Sequence, residues 1–197
     1  MANSPATLVQ IGPEHHGMRM SLDEFATVEG RPGHLYELER GVIQVVDIPG
    51  LPHGFAVQAV RSEFDAFRRA NPSRISYIAA GSDAAIRMPR TQTERHPDIS
   101  VYLSEPPDDP QPWEYWIPDI VIEVVSKGGE ERDYVAKRED YLLAGVRLYC
   151  IFDQQRRAVT VLERHGGKWN ERVLGEGDTL TTPLLPGFAL RLSDVFA

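Results

Sequence analysis

Alternating apolar and polar positions divide the chain into short strands and a few helices. A run of branched apolar residues at 120–125 predicts a strand buried on both faces, interrupted by Glu123. Helical spacing then extends from about residue 130 to 144, and a second apolar run follows at 147–153. A strand, a helix and a strand in this order favour a crossover connection and therefore a parallel strand pair.

Shorter elements flank this crossover. Two runs at 35–39 and 42–46, joined by Arg40-Gly41, predict a hairpin. Apolar residues at helical spacing over 57–67 predict a long helix that packs on a sheet. The C-terminal runs around the Gly166-Gly167 turn predict antiparallel hairpins. The expected fold class is α/β (α+β), with a mixed β-sheet flanked by helices and antiparallel hairpins at the C-terminus.

Length and composition add modest bounds. The 197 residues, 42% of them hydrophobic, predict a single domain over 21–197, preceded by a flexible arm over 1–20 that lacks periodicity. Cys150 lies in an apolar run, so we expect it in the core rather than at a reactive site. No signal-like or membrane-spanning stretch is present, which predicts a soluble cytoplasmic protein with no membrane partner.

The net charge limits the choice of partners. At −8, the chain repels nucleic acid at long range, although clustered arginines and lysines or a bound metal can override this sum locally. The charge therefore counts mildly against an enzyme that acts on nucleic acid.

Glu123 is the most informative single residue. An ionised carboxylate taken out of water costs several kcal/mol or more unless it is paired, protonated or bound to a metal. One alternative is an edge strand with one wet face, because Asp119 and Glu123 share a side of the strand with two valines. The strand by itself leaves both interpretations open.

Asp98 and Lys137 extend this lead. Asp98 opens a predicted strand, and if that strand neighbours the Glu123 strand, both carboxylates can face one cavity. Mg²⁺ is often held by one or two carboxylates together with water and substrate phosphates, so two acids suffice. Lys137 lies on the following helix and offers a cation to the same cavity. Two ordinary alternatives stand beside these roles: an i,i+4 ion pair of Lys137 with Asp133, and a turn function for Asp98 after Pro97.

An ordered set of short motifs resembles a known family. These motifs cover about residues 20–196 and are Tyr36-Glu37-Leu38, His53-Gly54, Pro97-Asp98-Ile99, Pro118 to Ser126, Lys137, Tyr141, Gly145-Val146 and Leu185-Pro186-Gly187-Phe188. Together they resemble the Uma2 family, whose members are described as putative restriction endonucleases, a bacterial branch of the PD-(D/E)xK nuclease superfamily. No single motif is specific, and the ordered set carries the resemblance.

The resemblance implies roles for particular residues. Asp98 matches the metal-binding aspartate, and Glu123 matches the glutamate of the second half-motif. The main-chain carbonyl of Val124 matches a further metal ligand. The usual lysine position is occupied here by Val125, and Lys137 matches the lysine that this family places on the next helix.

Two further residues and one departure complete the comparison with the family pattern. Glu37 matches an upstream acid often placed near the site, and His53 a possible auxiliary residue. The alternative interpretation of Glu37 is a solvated acid on a strand face, and that of His53 is a residue that caps the helix. Family members commonly continue the glutamate strand with Ser-Pro-Ser, whereas this chain has Ser126-Lys127-Gly128. Lys127 therefore competes with Lys137 for the cationic role.

The resemblance implies an endonuclease that depends on Mg²⁺ or Mn²⁺ and hydrolyses phosphodiester bonds, with DNA as the expected substrate. It also points to a homodimer, although no pattern in this chain marks an interface. Two alternatives stay open. One is a catalytically weak or inactive nuclease fold that serves as a binding or assembly module, and the other is a hydrolase of small phosphorylated molecules.

Overall fold

The computed structural model describes residues 9–110, 112–126 and 128–196. The described strands are, in chain order, β1 (Val9–Ile11), β2 (Val28–Gly30), β3 (His34–Glu39), β4 (Val42–Asp47), β5 (Tyr77–Ala80), β6 (Ile86–Met88), β7 (Thr93–Arg95), β8 (Ile99–Tyr102), β9 (Ile120–Val124), β10 (Leu148–Asp153), β11 (Ala158–His165), β12 (Lys168–Gly175), β13 (Thr179–Leu180) and β14 (Leu190–Arg191). The α-helices are α1 (Leu22–Phe25), α2 (Leu51–Ala70) and α3 (Lys137–Ala144), with a π-helical segment at Arg132–Ala136 directly before α3.

The chain forms two compact units. The first comprises Met1–Ile48 and Arg87–Arg95, and the second comprises Pro49–Ile86 and His96–Ala197. Compact units are not necessarily domains that fold separately, so the single domain expected over residues 21–197 stays a prediction.

The first unit is framed by a four-stranded sheet in the order β4-β3-β7-β6. The predicted hairpin is confirmed, since β3 pairs with β4 in antiparallel register. Arg40 and Gly41 adopt φ values of 51° and 73° at its turn, which match the right-handed twist of the flanking strands. Leu38 and Ile43 face each other across the hairpin and are fully buried.

The N-terminal segment corrects one expectation. Residues 1–8 of the predicted arm lie outside the described residues, but from Val9 onward the chain is folded. Strand β1 pairs in parallel with β2, and Ile11 is buried in an apolar cluster with Leu22 and Phe25. Val9 and Ile11 are two positions apart, which is the spacing of residues on one face of a strand. A three-residue strand is too short for this alternation to appear as a periodic pattern in the sequence.

The second unit is built on a six-stranded sheet in the order β12-β11-β10-β9-β8-β5. Strands β9 and β10 are parallel and the other neighbouring pairs are antiparallel, so the sheet is mixed, as the crossover predicted. The predicted C-terminal hairpins are confirmed by the β11–β12 and β13–β14 pairs.

The two faces of this sheet have different coverings. One face carries Ile120 and Ile122 of β9 and packs, with Val60 and Phe64 of α2, into the main apolar core. Cys150 belongs to this core, as expected, and burial raises the pKa of its thiol to about 12. On the opposite side of the alternating pattern lie Val121 and Glu123, together with the residues of β10 that contact the helix after β9.

No helix in the described part of the chain combines the length and apolar character needed to cross a lipid bilayer.

Candidate active site

Strand β9 places Glu123 inside the protein. The strand lies between β8 and β10, and all five of its residues are buried, with Glu123 only 3% exposed. A central strand has no wet edge, so the edge-strand explanation of Glu123 is wrong. Its side chain needs partners within the protein.

Strand β8 brings Asp98 opposite Glu123. The antiparallel register pairs Ile99 with Ile122 and Ser100 with Val121. Extending it by one residue sets Asp98 across from Glu123. Residues directly opposite in an antiparallel pair project to the same face, with Cβ atoms about 4.5–5.5 Å apart. The two carboxylates, 25 positions apart in the chain, therefore share one face of the sheet.

Asp98 is held by two donors. Its Oδ2 accepts a hydrogen bond of 2.7 Å from the main-chain N–H of Val124. The same oxygen lies 3.0 Å from Nε2 of His53, which is in the first turn of α2. These contacts fix the orientation of the carboxylate. They also bring the main chain of Val124, the residue after Glu123, into contact with Asp98. His53, expected from the sequence only as an auxiliary or a cap, contacts the candidate site directly.

Lys137 joins Glu123 to a second acid. Its Nζ lies 2.8 Å from Oε1 of Glu123 and 3.2 Å from Oδ1 of Asp133. Both the proposed site contact and the ordinary i,i+4 ion pair are therefore present. The lysine side chain is only 4% exposed. The two carboxylates provide the opposite charge without which a buried ammonium group would be strongly unfavourable.

The helix that carries Lys137 is irregular at its start. In the π-helical segment Arg132–Ala136, the N–H of Lys137 donates to the carbonyl of Arg132, five residues earlier. Such widened turns often occur at functional sites. Asp133 lies within this segment, and Lys137 and Tyr141 follow it at spacings of four, so that Lys137 and Tyr141 lie on the same side of α3 and Lys137 contacts Asp133.

Tyr141 is a site residue that the sequence did not identify. Its hydroxyl donates a hydrogen bond of 2.5 Å to Oε1 of Glu123, and the side chain is fully buried. The ring of Tyr141 packs edge-on against Tyr149, 4.9 Å between centroids. Two signals were available, the place of Tyr141 in the set of family motifs and its spacing of four from Lys137, but neither shows which strand that helix face contacts.

Asp133 is the second such residue. The sequence indicated it only as the i,i+4 ion-pair partner of Lys137, and the structure shows that it is 2% exposed. Burial raises the pKa of its carboxyl group, and Lys137 and Arg132 oppose that shift. The hydroxyl of Tyr149 donates to the main-chain oxygen of Asp133 over 2.8 Å, which ties this turn to β10.

The remaining predicted residues have other positions. Glu37 lies in the first unit, where its Oε2 is 3.0 Å from Nη1 of the fully buried Arg95. Arg95 also contacts Glu39 over 2.7 Å. This pairing replaces the solvated acid considered from the sequence, and membership of Glu37 in the site stays a prediction. Lys127 lies outside the described residues.

The donor atoms of the site suit a hard cation. Within residues 9–110, 112–126 and 128–196, no group of three or more His, Cys, Asp or Glu side chains is arranged to hold a metal ion. The candidate ligands that the family resemblance implies are two carboxylates, from Asp98 and Glu123, and the main-chain carbonyl of Val124. Oxygen donors in this number fit Mg²⁺ or Mn²⁺, which retain water and bind substrate phosphate, better than Zn²⁺, which takes nitrogen and sulfur ligands.

Comparisons with known proteins agree with this architecture. The family profile Uma2, described as "Putative restriction endonuclease", matches residues 22–193. A similar solved structure is a crystal structure described as a putative nuclease belonging to DUF820 from Anabaena variabilis. It has a TM-score of 0.73 and 20% sequence identity, and the match covers 90% of this chain and 97% of that one. At this identity the likeness shows a shared fold. No curated protein matches the chain.

Proposed function

Because the chain belongs to the Uma2 family of restriction endonuclease-like proteins, we propose that it is an endonuclease that uses Mg²⁺ or Mn²⁺ to hydrolyse phosphodiester bonds in DNA. One observation carries the proposal. Asp98 and Glu123 project to the same face of the sheet from the neighbouring strands β8 and β9, and the ammonium group of Lys137 lies 2.8 Å from the glutamate. Two carboxylates and a cation on one face of the sheet, with Glu123 and Lys137 buried and Asp98 partly exposed, are groups that metal-assisted phosphoryl transfer uses.

The proposed ligands are the carboxylates of Asp98 and Glu123 and the carbonyl of Val124. A bound divalent ion would supply positive charge that activates water and offsets charge on the phosphoryl group. Lys137 would donate a hydrogen bond to the attacking water from a fixed position, because Glu123 and Asp133 together restrict its ammonium group. His53 would keep Asp98 in one orientation through their shared contact.

The substrate assignment takes account of charge. The chain carries −8 at neutral pH, so DNA must be attracted by local cations rather than by the overall field. DNA as substrate and a homodimeric assembly both follow from the family resemblance and remain proposals.

Plasmid nicking tests the assignment. Asp98→Asn and Glu123→Gln keep the side-chain shapes while removing the charges, and each should reduce Mg²⁺-dependent nicking of supercoiled plasmid to the level seen in EDTA. Asp108→Asn, which changes an exposed acid in a loop, is the matched control and should cut like the unmodified protein. Circular dichroism shows whether each variant is folded. Undiminished nicking by both folded site variants would refute the proposal.

A second function, that of a binding or assembly module without catalysis, is favoured by one specific observation. Oδ2 of Asp98 already contacts two protein donors, and Oε1 of Glu123 contacts both Lys137 and Tyr141. A network satisfied by the protein's own donors keeps its shape without a metal ion.

Metal titration separates the two functions. A ligand that binds only the native state stabilises it by about 2.7 kcal/mol at one hundred times its Kd. Mg²⁺ or Mn²⁺ should therefore raise the melting temperature if the protein is a metal-dependent nuclease. If neither ion changes the melting temperature or produces calorimetric heat, the module is the better assignment. A hydrolase of small phosphorylated molecules would instead turn over a small phosphodiester faster than plasmid.

A further inference from the structure

Arg132 brings a second cation to the candidate active site. Its Nε lies 3.8 Å from Oδ1 of Asp133, and the same oxygen is 3.2 Å from Nζ of Lys137. Because both nitrogens contact one oxygen, their separation is at most 7.0 Å, the sum of the two distances. Nζ of Lys137 is in turn 2.8 Å from Oε1 of Glu123. These contacts place the guanidinium group of Arg132 beside the groups proposed for phosphoryl transfer.

The π-helical segment explains how Arg132 reaches this position. In an α-helix, residues five positions apart are separated by roughly 140° around the axis, so Arg132 and Lys137 would lie on different sides. The widened turn instead joins the N–H of Lys137 to the carbonyl of Arg132, which stacks one residue over the other. Adjacent residues of a regular helix do not face each other either, yet Arg132 contacts Asp133. The π turn therefore brings the arginine to the side of the helix that carries Lys137.

The guanidinium group of Arg132 has hydrogen-bond donors left for a ligand. Its Nε is buried and has no hydrogen-bond partner within the described part of the chain. The contact of 3.8 Å with Asp133 is longer than a hydrogen bond. Buried polar groups in native proteins nearly always have such a partner, so an unsatisfied one indicates that a bound group completes its contacts. The side chain is 25% exposed, which leaves it open to a ligand that enters from solvent.

A phosphate oxygen is the ligand that this arrangement fits best. A guanidinium group carries five N–H donors in a planar fork that matches the geometry of phosphate. Lys137 already contacts Glu123 and Asp133 at short range, whereas Arg132 has the longer contact with Asp133. Charge-assisted hydrogen bonds to phosphate are about 2.7–2.9 Å long. A phosphate group attacked by water that Lys137 holds therefore lies within reach of Arg132.

We propose that Arg132 is a substrate-binding residue that donates hydrogen bonds to a non-bridging oxygen of the DNA phosphate at the candidate active site. This role rests on the proposed endonuclease function and adds to it the group that holds the phosphate while Lys137 positions the water. Arg132 also supplies a local positive charge, which a chain with a net charge of −8 needs in order to attract DNA.

The salt dependence of DNA binding tests this role apart from catalysis. Fluorescence anisotropy measures the Kd of a short DNA duplex for the full-length protein at several NaCl concentrations, with Ca²⁺ constant and low, and a denaturing gel verifies that the duplex is intact. Each phosphate contact contributes about 0.9 to the slope of log Kd against log salt concentration. Arg132→Gln should lower that slope by about 0.9 and weaken binding roughly tenfold or more, since it removes charge-assisted hydrogen bonds. Arg132→Lys keeps the charge and should keep the slope.

Arg138→Gln is the matched control. Arg138 lies on α3, and its Nη1 is 2.7 Å from Oε2 of Glu171 on β12. The variant loses the same charge from the same helix and should keep the slope of the unmodified protein. Circular dichroism shows whether each variant is folded. The role of Arg132 is refuted if the unmodified protein does not bind the duplex, if Arg132→Gln leaves the slope unchanged, or if Arg138→Gln lowers the slope equally.

Plasmid nicking, measured separately, distinguishes failure of this role from failure of the endonuclease function. If the unmodified protein nicks plasmid and Arg132→Gln leaves the slope unchanged, the endonuclease function stands and the role of Arg132 is refuted. If Arg132→Gln lowers the slope and the unmodified protein does not nick plasmid, Arg132 binds a DNA phosphate in a protein that does not cut.

Discussion

Replacing Tyr141 with phenylalanine removes a single hydroxyl group from the centre of the candidate active site. That hydroxyl donates to Oε1 of Glu123 over 2.5 Å, and both side chains are buried. A hydrogen bond to a charged group contributes about 1.5–3 kcal/mol to stability, and it is most valuable where water cannot replace the lost donor. Since Lys137 stays in contact with the same oxygen, Glu123 keeps one strong partner. We therefore expect Tyr141→Phe to lower the free energy of unfolding by about 1.5–3 kcal/mol.

Tyr149→Phe is the matched control. Tyr149 is also fully buried, and its hydroxyl donates over 2.8 Å to the uncharged main-chain oxygen of Asp133. Loss of a neutral hydrogen bond should cost only about 0.5–1.5 kcal/mol. Urea unfolding of the two variants, without metal, compares a charged with a neutral acceptor in the same helix contact. If Tyr141→Phe is no more destabilising than Tyr149→Phe, the hydroxyl does not stabilise an ionised Glu123 and the reasoning is refuted.

The same pair of variants also tests the link to metal binding. Groups that orient a metal ligand typically change metal affinity by about 10–100-fold when removed. Calorimetric titration with Mg²⁺ or Mn²⁺ should show such a loss for Tyr141→Phe and little change for Tyr149→Phe. Equal affinities in the two variants would mean that Tyr141 supports the fold without positioning Glu123.

Three further outcomes follow from the described structure. Cys150 should react with a thiol reagent at pH 8 only after unfolding, because a pKa of about 12 leaves about one thiol in ten thousand ionised; rapid labelling of the native protein would contradict its burial. Phe64→Ala should lower the free energy of unfolding by about 3–5 kcal/mol in a urea titration, because Phe64 is buried and stacks on Phe188 at 4.5 Å; a change below about 1 kcal/mol would show that the core refills the space. Arg95→Met should destabilise the protein by about 3–5 kcal/mol, because it removes the guanidinium group that lies 3.0 Å from the buried Glu37, and a smaller loss in Arg95→Met combined with Glu37→Gln would identify that charge as the cause.

Local patterns in the sequence predicted much of the architecture. The apolar runs on either side of a helix predicted the parallel β9–β10 pair, because a crossover connection favours that arrangement. The hairpin at Arg40-Gly41 followed from its two-residue turn. The carboxylate in an apolar strand singled out Glu123, since burying it without partners is costly. The arm from Val9 onward was predicted wrongly because a three-residue strand is too short to show periodicity.

The composition of the site depended on tertiary contacts. Strand register set Asp98 opposite Glu123, and the packing of α3 brought Lys137 and Tyr141 onto the same glutamate oxygen. Helix packing likewise brought His53 to Asp98, 45 positions away in the chain.

By itself, the sequence determined which residues carry charge, which segments form strands and helices, and which carboxylate needs a partner. These properties follow from local spacing and from the cost of burying polar groups. Only the tertiary structure decided which partners Glu123 has and that Asp98 lies across from it on the neighbouring strand. Register and helix orientation result from many weak packing contacts between distant segments, and no local pattern encodes that sum.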